Sequence, residues 1–513
     1  MIGAGPSGIL AAKHAVEAGF GVTVFEASDG LGGQWHTTAA HSGVWPGMRT
    51  NTSRVMTRFS DMDYPPGTAV YPSDGEVLAY LKRYCERFEI AGHVRLGTRV
   101  ERIGRGPDGV GWEVRSVDQF GRPASELFPL VIVASGRFTR PRVPHVPGLE
   151  SFSGRGGAAH SFQYKDPGRY RGMRVLVAGC AVSALEIAGD LAMLGAARVV
   201  SSYRRQRYVL PKLAAGVPTD HLAFTRYGAL AAEVFPPETL AEGLKDLVLR
   251  TSGSPERFGA AAPAESLLEA GVTLSQHFLP LVAEGRIVTK PWMREIEGRT
   301  VRFADGSEEE FDALIFGTGF DLDLPFLAED VREQLAVDDR HADLHHFTFH
   351  PALEGLAFLG LFDQVGPYLP VLELQARWIV YTWAGVVAPP TPDELAESVA
   401  AYRARRGTVQ KQKVHVLARR FARLAGVEPE AREWPELARA LLFGPLAPSS
   451  FRLSGPESLP DAAERLARDA AEFGVIASPD FTAEEHARLE ALGDALGDAG
   501  LAALARVRSG KGA

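Results

Sequence analysis

The chain contains almost no cysteine. In 513 residues there are two, Cys85 and Cys180, too few for a disulfide framework and not spaced C-x-x-C. This excludes a dithiol redox enzyme and suits a reducing, cytoplasmic setting. Long apolar runs are missing too. None approaches the ~18 residues of a membrane-crossing helix, and no signal peptide is visible. The sequence therefore reads as soluble and cytoplasmic, with no membrane partner. Nor is there a basic surplus. A formal charge of −8 and a pI near 6.0 imply no basic face, hence no nucleic-acid partner. Length is ample, enough for about three domains of roughly 150 residues, each able to bury a core.

The first stretch, Met1 to Glu26, organises the rest. Gly3, Gly5 and Gly8 are spaced G-x-G-x-x-G, after an apolar start and before a helix-like run, Ile9 to Ala18. Gly21 to Glu26 then reads as a second strand ending in an acid. In this pattern Gly3 permits a tight turn, Gly5 lets the backbone approach a pyrophosphate, and Gly8 lets helix and strand lie close. The helix N-terminus offers N–H groups and a positive dipole end to the pyrophosphate. Glu26 is expected to accept a hydrogen bond from an adenosine ribose. Only Met1 and Ile2 precede Gly3, whereas a strand averages about five to six residues. The natural start is therefore expected a few residues upstream.

Further along, Leu31 to Trp35 is a Gly-rich turn with one large aromatic, and Trp45 to Asp61 is a polar loop long enough to cover a ligand. Ser73 to Ile90 is expected to be a helix. Ser73 and Glu76 form its capping box, and Val77, Leu78, Leu81, Tyr84, Cys85 and Phe88 lie on one face. Leu130 to Ala134 reads as a strand, and Pro141 to Gly148, with three prolines, as a linker. The opening pattern then recurs. Arg174 to Ala178 is a strand, Gly179 to Ala184 a tight turn into a helix ending at Leu194, and Ala197 to Tyr203 the next strand. Ala181 and Ala184 occupy the later glycine places. Where an acid would follow, there is Arg204-Arg205, with Arg207 nearby. An acid would repel the 2′-phosphate of NADPH, whereas arginine meets it with a planar fork of donors. Asp312 to Phe316 is a buried strand closing in Gly317-Thr-Gly319, which suggests a return to the first domain. Leu356 to Gly360 repeats the pattern. A helix N-terminus near Pro370 would aim its positive end at a flavin ring.

Taken in order, IGAGPSG, GGQW, TNTSRVMTRFSD, HSFQYKDP, GCAVSA, FGTGF and ELQARW resemble the class B flavin-dependent monooxygenases of the flavin-containing monooxygenase family, from Ile2 to about Ser454. The resemblance implies an α/β fold with two dinucleotide-binding, Rossmann-like domains. The NADPH domain (166–305) is inserted in the FAD domain (1–165 and 306–454), and a helical extension covers 455–513. It implies FAD and NADPH as cofactors, a small-molecule substrate and O2 as partners, and a C4a-hydroperoxyflavin that oxygenates amine nitrogen or sulfide sulfur. Carried over residue by residue, Gly3, Ala4, Gly5, Pro6, Ser7, Gly8, Glu26, Gln34 and Trp35 would contact FAD. Asn51, flanked by Thr50 and Thr52, would be the catalytic residue beside flavin and NADP⁺. Ser183, Ala184, Arg204 and Arg205 would hold the NADP phosphates, and Gly319 and Gln375 would complete the cofactor shell.

Two departures stand out. The family fingerprint F-x-G-x-x-x-H-x-x-x-Y/F is stretched here, with two extra residues between Gly154 and His160. Gly317-Thr-Gly-Phe320 also replaces the more usual Ala-Thr-Gly-Tyr. His160 is expected to orient domains, not to move protons. Baeyer–Villiger monooxygenases share both domains and resemble Trp45-Pro-Gly47, but carry an acid where Asn51 stands and usually Trp where Tyr164 stands. Asn51 therefore favours heteroatom oxygenation. An NADPH oxidase or reductase without oxygen transfer stays open. His341, His345, His346 and His350 lack the regular spacing and cysteines of a metal centre, so no metal is expected. At the end, Thr482 and Glu485 cap a helix with Leu489, Leu492 and Leu496 on one face. Gly493, Gly497 and Gly500 are expected to weaken it. Its apolar face is expected to cover the catalytic body or a second subunit, which leaves room for a homodimer.

Overall fold

Backbone pairing divides the main strands between two parallel sheets in the computed structural model, which describes residues 1–408, 411–498, 500, 501 and 504. In the first sheet Ile2 is the central rung. Its N–H donates to the Ile132 carbonyl and the Ala134 N–H donates back to Ile2, both at 2.9 Å. Ile2 also bridges Phe25 on its other side. Outward from it, Val24–Phe25 pairs with Val94–Arg95, and Val131–Val133 with Leu356–Phe358, all parallel. The strand expected over 21–26 is a two-residue ladder, Val24–Phe25. Its inner neighbour is equally short and ends at the Gly3 turn. The first helix spans Pro6–Glu17 and starts three residues before the expected run. Proline at its first turn suits a position whose N–H has no intrahelical partner.

The helix expected over 73–90 forms at Asp74–Arg87. The Ser73 N–H donates to the Glu76 carboxylate at 2.8 Å, and the Glu76 N–H donates back to the Ser73 hydroxyl at 3.3 Å. Val77, Leu81, Tyr84 and Cys85 are buried together with Tyr80, the single apolar stripe that a 3.6-residue period produces. Leu78 and Phe88 are only partly covered. Strands Arg99–Arg105, Trp112–Val117 and Pro123–Phe128 form a separate antiparallel sheet.

The second sheet has five parallel strands, in the order Ile287–Pro291, Arg198–Tyr203, Arg174–Ala178, Ala313–Phe316 and Gly157–His160. Two of these memberships correct the sequence reading. Asp312–Phe316 is expected to re-enter the first domain, and Gly157–His160 falls inside the boundary drawn at 165. Yet Phe316 pairs with Ala178 on one side and His160 on the other. The second unit's sheet thus reaches from Gly157 to Phe316, and the chain rejoins the first sheet only at Leu356. A short buried apolar run fits the middle of any parallel sheet. Only its pairing partners decide which one.

Helix Ala483–Leu496 carries the expected Thr482–Glu485 capping box. Leu489 and Leu492 pack on Leu230, Ala438 and Leu442, so this face is covered by the chain itself and not by a second subunit. Gly497 does not weaken the helix interior. It adopts φ 67° and ends the helix, a conformation that favours glycine. Of the extension expected over 455–513, residues 499, 502, 503 and 505–513 lie outside the described residues. Deep between these parts, the Arg452 guanidinium pairs with Glu457 at 2.7 Å, Glu373 at 3.0 Å and Asp61 at 3.3 Å. Among the described residues no helix is long and apolar enough to cross a membrane.

Candidate active site

A cavity of about 2390 Å³ is lined by turns from both parallel sheets. Small-molecule sites usually measure roughly 300–1,000 Å³, so this one has room for more than one ligand. Gly3, Gly5, Pro6, Ser7, Glu26, Gln34 and Trp35 all contribute to its wall. The three fingerprint glycines are there for different reasons. A Cβ on Gly8 would sit 1.9 Å from the Gly3 carbonyl oxygen, and one on Gly3, at φ +100°, 2.7 Å from that of Ala134. A Cβ on Gly5 would find its nearest protein atom at 3.4 Å, an ordinary contact. Close approach to the neighbouring strand at Ala134 therefore demands Gly3, and helix–strand packing demands Gly8, whereas Gly5 is bare only toward the cavity. No side chain caps the helix beginning at Pro6, which leaves its N-terminus as an anion site. The residues present fit the diphosphate of a dinucleotide.

Ala4 and Gly8 do not reach the cavity as expected. Ala4 is fully buried, and its N–H donates to the Glu26 carboxylate at 2.7 Å. Ser28 adds its N–H and its hydroxyl to the other carboxylate oxygen, each at 2.8 Å. Glu26 is thus oriented by its own strand end and still lines the cavity.

Thr50, Asn51 and Thr52 also line it. Their loop has no regular secondary structure and is held by individual bonds. The Thr50 N–H donates to Pro72 at 2.9 Å and the Arg54 N–H to Val70 at 2.7 Å. The Thr50 hydroxyl donates to the Thr52 carbonyl at 2.8 Å. The Asn51 amide oxygen is buried with no hydrogen-bond partner among the described residues. A buried amide oxygen left unpaired costs roughly 1–3 kcal/mol, so it marks a place that a donor fits.

Ala181 and Val182, at the start of helix Val182–Leu194, line the cavity with Arg205 and Arg207. Ser183, Ala184 and Arg204 do not. Ala184 is fully buried and packs beneath Gly317, where an added Cβ would lie 2.7 Å from its own. Arg204 stacks on Trp292 at 5.0 Å, in the bend that follows the strand Arg198–Tyr203. Arg205 and Arg207 share the inward side. Gly319 is also outside, its carbonyl accepting the Arg142 N–H at 3.0 Å. The Gln375 side chain lies a layer below. Its oxygen accepts the Gly360 N–H at 2.9 Å, and its amide donates to Thr348 Oγ1 at 2.7 Å. It shapes the turn at Gly360, which does line the cavity.

The two units are joined behind the site. Trp45 donates its indole N–H to Asp190 at 2.9 Å and meets Tyr164 edge-on at 5.5 Å. Lys165 reaches back to the Ser42 carbonyl at 2.7 Å. His160 accepts the Phe162 N–H on Nδ1 at 3.1 Å, and burial lowers its pKa, so it is a neutral turn cap. At the start of helix Leu369–Trp383, Tyr368, Leu369 and Leu372 line the cavity, and that N-terminus too has no side-chain cap.

Sequence reasoning missed Asp220, which lines the cavity from the short helix Thr219–Ala223. One of its carboxylate oxygens accepts the Ser53 N–H at 2.7 Å and the Ser53 hydroxyl at 3.0 Å. Burial pushes its pKa up to about 6. Its neighbour His221 lies 3.0 Å from the same hydroxyl, with burial taking its pKa down to about 3. No motif marks either residue. The only signal is an Asp-His pair amid apolar neighbours. Among the described residues, the one set of three possible metal ligands in mutual reach is His14, Glu17 and Glu457. Lys13 already pairs with both carboxylates, at 2.6 and 3.5 Å.

Set against known proteins, the chain matches the family described as Flavin-binding monooxygenase-like over residues 1–469. It is 29% identical over 481 residues to dimethylaniline monooxygenase (N-oxide-forming) 2 of Rattus norvegicus, covering 89% of this chain and 88% of that protein. Among solved structures it is similar to S-allyl-L-cysteine S-oxygenase from Allium sativum, with a TM-score of 0.61 and 20% identity over 98% of this chain and 96% of that one. Cyclohexanone monooxygenase from Rhodococcus sp. Phi1, bound to NADP⁺, gives a TM-score of 0.61 and 20% identity over 83% and 96%. These likenesses show a shared two-domain α/β fold.

Proposed function

Because the chain belongs to the flavin-binding monooxygenase-like family, we propose that it uses FAD and NADPH to place one oxygen atom of O2 on a soft nucleophile. That nucleophile is an amine nitrogen or sulfide sulfur of a small organic molecule, and the other oxygen atom leaves as water. Bound FAD, reduced by NADPH, supplies the activation of oxygen. The chain's own residues bind, orient and exclude water. Gly5 and the uncapped helix at Pro6 would receive the FAD diphosphate, with Glu26 at the ribose. Arg205 and Arg207 would receive the NADPH 2′-phosphate. Asn51 would use its amide against flavin and nicotinamide. The observation that carries the reading is Asn51 itself, a neutral amide on the cavity wall with a buried, unpaired oxygen.

The absence of a carboxylate at that position favours amine and sulfide substrates over ketones. A cytoplasmic setting accords with two cysteines that are both buried and unpaired. The test is incubation of the FAD-loaded protein with NADPH, ¹⁸O2 and a panel of tertiary amines, thioethers and cyclic ketones. Labelled N-oxide or sulfoxide is the expected product. Labelled lactone from the ketones alone would mean a Baeyer–Villiger enzyme. NADPH consumption yielding only hydrogen peroxide across the panel would mean an oxidase.

A further inference from the structure

The loop carrying Asn51 is gripped from outside by a part of the chain that the family match does not reach. That match ends at residue 469. Just past it, Glu472 forms an ion pair with Arg54, three residues after Asn51. The next residue, Phe473, has the Arg54 guanidinium over its ring at 5.8 Å and meets the His221 ring edge-on at 5.1 Å. His221 and Asp220 in turn hold Ser53 through its hydroxyl and its N–H. Ser53 and Arg54 are therefore clamped between two segments far apart in sequence, and Phe473 touches both halves of the clamp.

The grip continues along helix Ala462–Ala471. Asp469, itself buried, pairs with Arg58 and accepts the Ser449 hydroxyl at 2.7 Å. Arg465 and Arg468 reach Asp63 at 2.7 and 2.8 Å. Each charge on this helix face meets its opposite on the 54–63 segment. Backbone bonds to Pro72 and Val70 anchor this irregular loop at Thr50 and Arg54, side-chain contacts such as these fix the rest, and a side chain acting on a bound cofactor must be held to within about 0.5 Å.

We propose that Glu472 and Phe473 are positioning residues for Asn51, setting its amide against the cofactors by locking Ser53 and Arg54 to Asp220 and His221. The inference rests on Asn51 serving the cofactor site. It adds that the C-terminal segment, beyond the family match, is part of that site's support.

The test compares Phe473→Ala, Phe473→Tyr, Glu472→Gln and the charge exchange Arg54→Glu/Glu472→Arg with the parent and with Asn51→Ala, all loaded with FAD. Two readouts are taken. One is the visible circular dichroism of the bound flavin with and without NADP⁺, which requires no turnover. The other is the rate of hydrogen peroxide release at saturating NADPH and O2 without substrate. Phe473→Ala is expected to shift the dichroism in the direction of Asn51→Ala and to speed peroxide release about tenfold. Phe473→Tyr, which keeps both ring contacts, should hold both at parent values. Glu472→Gln should move both in the direction of Phe473→Ala, and the charge exchange, which rebuilds the ion pair but not the guanidinium–ring contact, should recover part of that change. Asn51→Ala/Phe473→Ala should be no worse than Asn51→Ala alone. Parent-like dichroism in Phe473→Ala, or additive effects in the double variant, would overturn the proposal. If Phe473→Ala fails to fold, Glu472→Gln and the charge exchange decide it by the same readouts. A parent protein that makes only peroxide even with the panel of amines, thioethers and ketones present would sink the oxygenase reading, while the dichroism comparison would still judge the clamp.

Discussion

Replacing each fingerprint glycine with alanine should separate packing from cofactor binding. At Gly8 the new methyl would lie 1.9 Å from the Gly3 carbonyl oxygen, roughly half the 3.5–4.0 Å optimum of a non-bonded contact. The obstacle is backbone, so no rotamer relieves it, and the helix Pro6–Glu17 must move away from Ile2. Overpacking of this kind costs about 1–3 kcal/mol, against which the helix-propensity gain of alanine returns at most ~1 kcal/mol. At roughly 2–4 °C per kcal/mol for a domain of this size, apo Gly8→Ala should melt several degrees lower. Gly5→Ala should behave oppositely. Its backbone, at φ −73°, is open to alanine, and the nearest protein atom stays 3.4 Å away. Apo stability should change by no more than about 0.5 kcal/mol. The methyl would occupy space on the cavity wall, so FAD affinity should fall about tenfold or more, equal to ~1.4 kcal/mol. Scanning calorimetry of the apoproteins, with FAD titration followed by fluorescence, measures both quantities. Unchanged FAD affinity in Gly5→Ala would refute the assignment of that wall to the diphosphate. A parent-like melt in Gly8→Ala would refute the packing argument.

Arg205→Ala and Arg207→Ala should each raise KM for NADPH about ten- to hundredfold, the worth of one charged hydrogen bond of roughly 1.5–3 kcal/mol, with KM for NADH unmoved. Arg204→Ala, which loses only its stacking on Trp292, should leave both values as they were; steady-state kinetics decides. Burial raises the Asp220 pKa to about 6, above the ~3.9 of an exposed aspartate, so the native state holds this proton more tightly than the unfolded chain. Its contribution to stability is present below pH ~4 and is lost as pH rises to about 6. The melting-temperature advantage of Asp220→Asn over the parent should grow across that window and level off above it, and a pH-independent difference would show the carboxyl is not buried as described. Arg452→Met removes the partner of the buried Glu373 and should cost about 3–5 kcal/mol in urea unfolding. A loss below ~1 kcal/mol would mean that Ser60, whose N–H donates to Glu373 at 2.7 Å and whose hydroxyl donates to its other oxygen, satisfies it without Arg452.

Much of this protein was legible in local sequence. The glycine spacing, the acid at Glu26, the capping boxes at Ser73 and Thr482 and the apolar stripe through Val77 and Cys85 are short-range patterns. Their physics is completed within about one or two turns of chain, so they can be read without knowing where the chain goes next. The same holds for the choice of arginine in place of acid after the second fingerprint. Tertiary structure decided what depends on partners distant in sequence. The strand Ala313–Phe316 is equally at home in either sheet by its own residues, and only pairing with Ala178 and His160 assigns it to the second. Of three neighbouring arginines, stacking on Trp292 holds Arg204 away while Arg205 and Arg207 lie on the cavity wall. Asp220 and Phe473 carry no motif, and they matter only because the fold brings them against Ser53 and Arg54, more than 160 residues away. Sequence alone therefore determined the glycine turns and the helix caps, which are local. The support of Asn51 is built from three separated segments, and only the folded chain could assemble it.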